Sequence, residues 1–164
     1  MWERNNQLRR GKGIVYYCNK CDHGFIENKI EDLKEYYDKQ YRKEYSHKSD
    51  EASTNAKEIF ETYSNYQMPR INYIEKFLTE KDHVLEVGAS AGQFIMHIKD
   101  KVKKIDAIEL DTNCAKFIHD NFQTDIDTHE LKSSKFKDNS YNCVFSFQVL
   151  EHTNEPQNFI NDLI

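Results

Sequence analysis

The sequence predicts an α/β fold built on a doubly wound parallel sheet, and three observations in its second half carry that expectation. From residue 82 onward, short apolar strand-like segments alternate with helix-like ones, a pattern that calls for crossover connections and hence parallel strands. The first of these segments, Val84-Leu85-Glu86-Val87, runs directly into Gly88-Ala89-Ser90-Ala91-Gly92. Such a strand–turn–helix junction meets a nucleotide-like ligand at the carboxyl edge of a sheet. Acidic residues then recur at or after successive strand ends, at Glu86, Glu109 and Glu130.

Taken in order, His83–Val87 reads as the first strand and 93–101 as its helix. The second strand covers 104–109 and is followed by a helix over 114–122. A short third strand spans about 124–129, a fourth spans 142–147, and a last helix begins near Pro156, where proline suits a first helical turn. Ahead of the sheet, residues 51–80 are polar and helix-prone, with Ile59, Phe60, Tyr63, Ile71, Ile74, Phe77 and Leu78 at helical spacing. The spacing breaks near Met68-Pro69, because proline disfavours helix at the residue before it, so two consecutive helices are expected. Residues 1–50 hold Cys18-x-x-Cys21 and a tyrosine-rich charged run between Tyr36 and Tyr45. The chain thus divides into a cysteine-bearing segment (1–50), a helical connector (51–80) and a ligand-binding domain (81–164). It ends inside the last predicted helix with only one side of the sheet complete. The expected reading is a fragment of a longer protein; the alternative is a sheet completed by a partner.

Bulk properties narrow the function. At 164 residues the chain accommodates one domain with a core and a small appendage. No apolar run approaches membrane-spanning length, and the N-terminus lacks the apolar stretch of a signal peptide. Four cysteines without an export signal suggest a reducing, cytoplasmic setting. A net charge of −5 argues against a chain built to bind a phosphate backbone, so nucleic acid is not the expected partner. Arg9, Arg10, Lys12 and Lys20 read as a solvated basic cluster.

The chemistry sits at the strand ends. Gly88 allows a sharp turn and Gly92 lets the helix sit close to the strand or ligand, since neither carries a Cβ. The spacing is not the dinucleotide pattern G-x-G-x-x-G, and no phosphate-loop lysine follows. Glu86 can accept hydrogen bonds from a hydroxyl or ammonium group. Glu109, 23 positions later, is placed to accept from both hydroxyls of a ribose, and Glu130 from an exocyclic amine of adenine. Three acidic groups without a companion cation suit a cofactor with an adenosine, a cationic centre and no phosphates. The plainer alternative makes Glu109 and Asp111 solvated residues at a strand end.

Four segments in this order resemble the class I S-adenosylmethionine-dependent methyltransferases: Leu85-Glu86-Val87-Gly88-Ala89-Ser90-Ala91-Gly92, Ala107-Ile108-Glu109-Leu110-Asp111, the stretch from Asp138 to Ser146, and Val149-Leu150-Glu151-His152. The resemblance spans residues 80–164 and implies a Rossmann-like sheet. It also implies that the loop from Gly88 through Ala89 and Ser90 to Gly92 and Gln93 approaches the methionine portion, with Glu86 beside it. Glu109 would hold the ribose and Leu110 lie against the adenine; Glu130 would meet the adenine amine and Leu131 present its backbone N–H. Phe147 and Gln148 would line the pocket near the sulfonium. Two departures stand out. Ser90 replaces the middle glycine of the commonest loop and is accommodated if the backbone keeps ordinary dihedrals. Asn142 replaces an aspartate whose usual part is structural.

His152 is a candidate general base, since histidine takes a proton near neutral pH; its alternative is a structural histidine orienting its loop. Glu151 is a candidate catalytic carboxylate or a helix-capping one. At the N-terminus, Tyr17-Cys18-Asn19-Lys20-Cys21-Asp22-His23-Gly24 looks like one knuckle of a zinc ribbon and resembles the segment ahead of the catalytic domain in zinc-ribbon-bearing methyltransferases. Cys18 and Cys21 are candidate ligands, His23 a third and His47 a distant fourth, but a structural zinc needs four. Cys114 and Cys143 read as buried small residues. A redox pair is the competing reading.

The leading function is methyl transfer from S-adenosylmethionine to a small-molecule acceptor, a sugar or other metabolite. A non-catalytic module that binds S-adenosylmethionine or a partner protein is the alternative from another class. An NAD-dependent oxidoreductase shares the acidic second strand end but lacks the matching glycine pattern.

Overall fold

The computed structural model describes residues 2–5, 14–26, 30–41, 55–136 and 140–164. Of the features singled out above, Arg9, Arg10, Lys12, Tyr45, His47, Asp138 and Asn139 lie outside the described residues. The chain forms two compact units, Met1–Glu31 and Asp32–Ile164.

The first unit is an antiparallel sheet of β1 (Trp2–Asn5), β2 (Val15–Cys18) and β3 (Gly24–Ile26), in the order β1-β2-β3. The turn between β2 and β3 is the cysteine knuckle. Asp22 N–H donates to the Cys18 carbonyl at 2.9 Å, and Cys18 N–H donates to the His23 carbonyl at 2.8 Å. Asp22 adopts φ 57° to close the turn, a conformation that Asp tolerates better than most residues. Tyr17 OH donates to Asp22 Oδ1 at 2.6 Å, and Tyr16 stacks on Phe25. The first contact ties β2 to the turn and the second ties β2 to β3.

In the second unit, α1 (Leu33–Lys39) is followed by α2 (Ala56–Tyr63) and α3 (Met68–Ile74). The break expected near Met68-Pro69 is a tight helical turn at Ser64–Gln67, after which α3 restarts with Pro69 in its first turn. Ile59 and Ile71 are buried as their spacing predicts, but Tyr63 and Phe77 face solvent. Tyr63 is the last residue of α2, and Phe77 lies in the tight turn past the end of α3.

Four parallel strands follow: β4 (His83–Val87), β5 (Lys104–Ile108), β6 (Asp125–Asp127) and β7 (Cys143–Ser146), in the spatial order β6-β5-β4-β7. This is the expected doubly wound parallel sheet. The crossover helices are α4 (Gln93–Ile98) and α5 (Thr112–Phe122), and α6 (Pro156–Leu163) follows β7. Strand alternation sorts the core into two faces. Val84, Ala107 and Phe94 pack with Ile95, Ile98 and Ile118 on one. Leu85, Val87, Ile108, Leu131 and Phe136 pack on the other, against Phe159 and Leu163 of α6. Both faces of β4 are covered, so Val84, Leu85 and Val87 are buried apolar residues, and a buried Glu86 among them is conspicuous.

The amino ends of the strands are tied by polar groups. Asn142 accepts from His83 N–H through its side chain and donates to the His83 carbonyl through its backbone, both at 2.8 Å. The residue that departs from the commonest pattern therefore joins β7 to β4 without needing a charge. Buried Asp106 accepts from His83 at 2.7 Å and from Tyr141 OH at 3.1 Å.

Gly92 owes its place to a neighbour other than the expected strand or ligand. A Cβ there would lie 2.7 Å from the Phe122 ring and 3.0 Å from Ile118, both on α5, and the residue has φ 80°. Overpacking and left-handed strain together should make Gly92→Ala about 2–4 kcal/mol less stable, read as a lower denaturant midpoint at constant m-value.

Candidate functional site

The site begins where β4 ends. Glu86 points to the face shared with Val84 and is only 3% exposed. Its Oε2 is buried and has no hydrogen-bond partner among the described residues. Burial pushes its carboxyl well above the ordinary carboxylate range; the nearby Arg70 guanidinium pulls it partly back, and Glu109 pushes it up further. A carboxyl in such surroundings is costly unless something pairs with it. Ser146 Oγ, at the end of β7, is likewise buried without a partner among the described residues.

Next comes the glycine loop. Gly88 (φ 81°) N–H donates to the Ile108 carbonyl at 2.8 Å and Ala89 N–H at 3.1 Å, tying the loop to β5. A Cβ on Gly88 would meet Val149 Cγ2 at 2.3 Å, so the turn after β7 lies directly over this glycine. Ser90 has φ 50° and therefore departs from the ordinary dihedrals expected of it. Its N–H donates to Glu109 Oε2 at 2.6 Å, and that charge-assisted bond holds the loop in its strained shape. Glycine would adopt this conformation without a Cβ penalty. Ser90→Gly should raise stability by about 1 kcal/mol, seen as a higher melting temperature.

Glu109 and Asp111 are both buried, not solvated strand-end residues. Besides Ser90 N–H, Glu109 accepts from Asp111 N–H at 2.9 Å. Asp111 is the N-cap of α5, accepting from Asn113 and Cys114 N–H groups, a standard way to satisfy the first turn of a helix. Leu110 is half-buried between them.

Beyond β6 the loop is organised by Asp127, which the sequence did not flag. It accepts from His129 N–H and from Lys135 N–H, at 3.0 and 2.6 Å. Burial pushes its carboxyl up, but these hydrogen bonds and the His129 side chain leave it lower than an ordinary aspartate. The loop it fixes carries Glu130, paired with Lys132 at 3.4 Å, and Leu131, whose side chain enters the core.

Phe147 lies against Phe94 and Phe145, with the Arg70 guanidinium 4.3 Å from its ring centre. Gln148 is exposed and has φ 57°. Glu151 and His152 are exposed in the following turn, where His152 N–H donates to the Val149 carbonyl. Gln93 is not brought to the site: its side-chain amide donates to the Ile59 carbonyl and ties α4 to α2.

Arg70 is the residue that sequence reasoning missed. It lies on α3, ahead of the sheet, and it places a cation beside Glu86. The available signal was that no other arginine follows Arg42. No local pattern relates it to the first strand.

A cofactor with an ammonium group fits this arrangement, because Glu86 offers a buried acceptor that lacks a partner among the described residues. Residues 85–163 match the family model described as a methyltransferase domain. That match covers just under half of the chain and supports the class I S-adenosylmethionine-dependent methyltransferase reading of this part. One curated relative, a probable ribosomal RNA small subunit methyltransferase A of Methanosarcina barkeri, is 35% identical over 66 residues, covering 37% of this chain and 23% of its own. Among solved structures, a complex between the Haloferax volcanii Trm112 methyltransferase activator and a methyltransferase superposes with a TM-score of 0.56 at 11% identity, over 66% of this chain and 51% of that one. An S-adenosyl-L-methionine-dependent methyltransferase of Methanococcus maripaludis gives 0.53 at 16% identity, over 65% and 55%. These structural likenesses show the fold alone. The chain spans under a quarter of the curated relative and about half of each solved chain.

Zinc does not fit the described N-terminal unit. Among the described residues no group of three or more His, Cys, Asp or Glu side chains is placed to hold a metal ion. Cys18 and Cys21 are free thiols, and backbone N–H groups of Lys20 and Cys21 lower the Cys18 thiol below its ordinary value. Cys114 is buried and Cys143 half-buried. Among the described residues no helix is long and apolar enough to cross a membrane.

Proposed function

We propose that the chain binds S-adenosylmethionine at the carboxyl ends of β4, β5 and β6 and transfers its methyl group to a small-molecule acceptor. One observation carries this reading: the buried, unpartnered Glu86 oxygen beside a guanidinium. An amino acid end group presents an ammonium and a carboxylate together, and Glu86 with Arg70 complements both. Glu109, buried just past the end of β5, accepts the ribose hydroxyls. Glu130 accepts from the adenine amine, with Leu110 against the ring and the Leu131 N–H facing it. Gly88, Ala89 and Ser90 form the loop beside the methionine portion, and Phe147 and Gln148 border the reacting centre. Bound here, the cofactor supplies an electrophilic methyl group on a sulfonium.

The residues of the chain orient the acceptor and take its proton. His152 is the base and Glu151 an accessory carboxylate in the same turn. Methyl transfer depends chiefly on alignment of the nucleophile, so the base has a modest part. The four free cysteines suit a reducing, cytoplasmic setting.

An RNA acceptor is the second reading, prompted by the name of the Methanosarcina barkeri relative; the net charge of −5 weighs against it. Incubation with methyl-labelled S-adenosylmethionine and either a small-metabolite fraction or total RNA separates the two. Label in the metabolite fraction is the expected result. Label in RNA alone would overturn the small-molecule assignment.

A further inference from the structure

The tyrosine-rich helix α1 has no part in the fold's core beyond Leu33, yet it is fastened to the carboxyl edge of the sheet at three places. Asp38 Oδ1 accepts from Thr112 N–H, just past β5, at 2.8 Å. Lys34 Nζ donates to Thr128 Oγ1, just past β6, at 3.3 Å. Tyr37 and Tyr41 meet the His152 ring, past β7, edge to face with centres 6.2 and 6.0 Å apart. Tyr37 lies in α1 and Tyr41 just past its C-cap at Gln40, with ring centres 4.8 Å apart. Tyr36 adds a third ring at 5.4 and 5.9 Å from them. The helix therefore lies across the strand ends that hold Glu109 and the loop of Glu130, and it brings an aromatic wall to the candidate base.

We infer that Tyr37, Tyr41 and His152 form the acceptor subsite, and that it takes a neutral planar aromatic ring bearing a hydroxyl. This rests on the methyltransferase reading and narrows its acceptor. Two arguments select the class. Tyrosine rings receive another aromatic ring in offset or edge-to-face arrangements, the geometry already present among these side chains. A histidine base is also far better matched to a phenol, with a pKa of about 10 as for tyrosine, than to an aliphatic hydroxyl near that of water, about 15.7. In the transfer, the phenol oxygen forms a bond to the methyl carbon while the carbon–sulfur bond breaks and its electron pair returns to sulfur. The phenol proton passes to the His152 imidazole and then to solvent. The products are the aryl methyl ether and S-adenosylhomocysteine.

Binding tests this without turnover. The full chain, saturated with S-adenosylhomocysteine, is titrated with 4-methylumbelliferone, a fluorescent phenol, and separately with methyl α-glucoside. The phenol should bind and the glucoside should not. Tyr37→Leu and Tyr41→Leu should each weaken phenol binding about tenfold, while Tyr37→Phe and Tyr41→Phe stay within about twofold of the parent. Affinity for S-adenosylhomocysteine should be unchanged in all four. Tighter binding of the glucoside, or leucine variants that hold the phenol as the parent does, would overturn the subsite while leaving the cofactor reading intact. Failure of the folded parent to bind S-adenosylhomocysteine would instead overturn the methyltransferase reading and the subsite with it.

Discussion

Replacing Glu109 with alanine is expected to weaken S-adenosylmethionine binding by roughly ten- to a hundredfold, the loss of hydrogen bonds to a charged acceptor worth about 1.5–3 kcal/mol. The same change should lower stability, because the carboxylate is also a structural hub. It holds Ser90 N–H on one oxygen and Asp111 N–H on the other. Removing it frees the strained Ser90 backbone and leaves two donors without their acceptor. Glu109→Gln separates the two roles. Its amide keeps one oxygen, enough for one of the two backbone donors, but its nitrogen cannot accept from a ribose hydroxyl. The glutamine variant should therefore melt between the parent and the alanine variant while binding almost as poorly as alanine. Calorimetric titration and thermal unfolding of the three proteins check this. Equal affinities throughout would show that the end of β5 does not meet the ribose.

Glu86→Gln should have a comparable effect on binding and an opposite one on the empty protein. In the empty fold, burial holds the Glu86 carboxyl well above the ordinary value of 4.5. The folded state therefore keeps a proton that the unfolded chain has already released. The stability tied to that proton is fully present below pH 4.5 and is lost as pH rises through the raised folded value. Glutamine cannot ionise, so the variant should lose this dependence and be more stable than the parent at neutral pH. Binding runs the other way. A ligand ammonium favours the ionised carboxylate, so the parent should release a proton on binding and bind more tightly as pH rises across that window. The variant should do neither, and it should bind roughly ten- to a hundredfold more weakly for want of a charge-assisted bond. Titration in buffers of differing ionisation enthalpy counts the proton directly.

The parallel sheet was legible because its strands are short and punctuated by polar turns, most plainly the apolar-rich Val84–Val87 followed by Gly88. The carboxylates at the strand ends were legible for the same reason: register along a strand fixes where its last residue lies. Three features were not legible. The left-handed backbone at Ser90 follows from a long-range bond to Glu109, which no local preference reports. Gly92 answers to Phe122 on another helix, so its reason is tertiary. Arg70 reaches Glu86 from a separate helix, and only folding brings the two together. Gln93 was read toward the ligand because it follows the glycine loop, but the first turn of α4 carries its side chain to α2. Positions fixed by strand geometry were readable, whereas those fixed by helix-to-helix packing required the fold.

The central claim is that Arg70 and the buried Glu86 and Glu109 together hold S-adenosylmethionine. Calorimetric titration of the folded 164-residue chain with S-adenosylmethionine, and in parallel with NAD, tests it most directly. Saturable one-to-one binding of S-adenosylmethionine with release of a proton, and none of NAD, is the predicted result. Undetectable binding at millimolar S-adenosylmethionine by a demonstrably folded sample would contradict it.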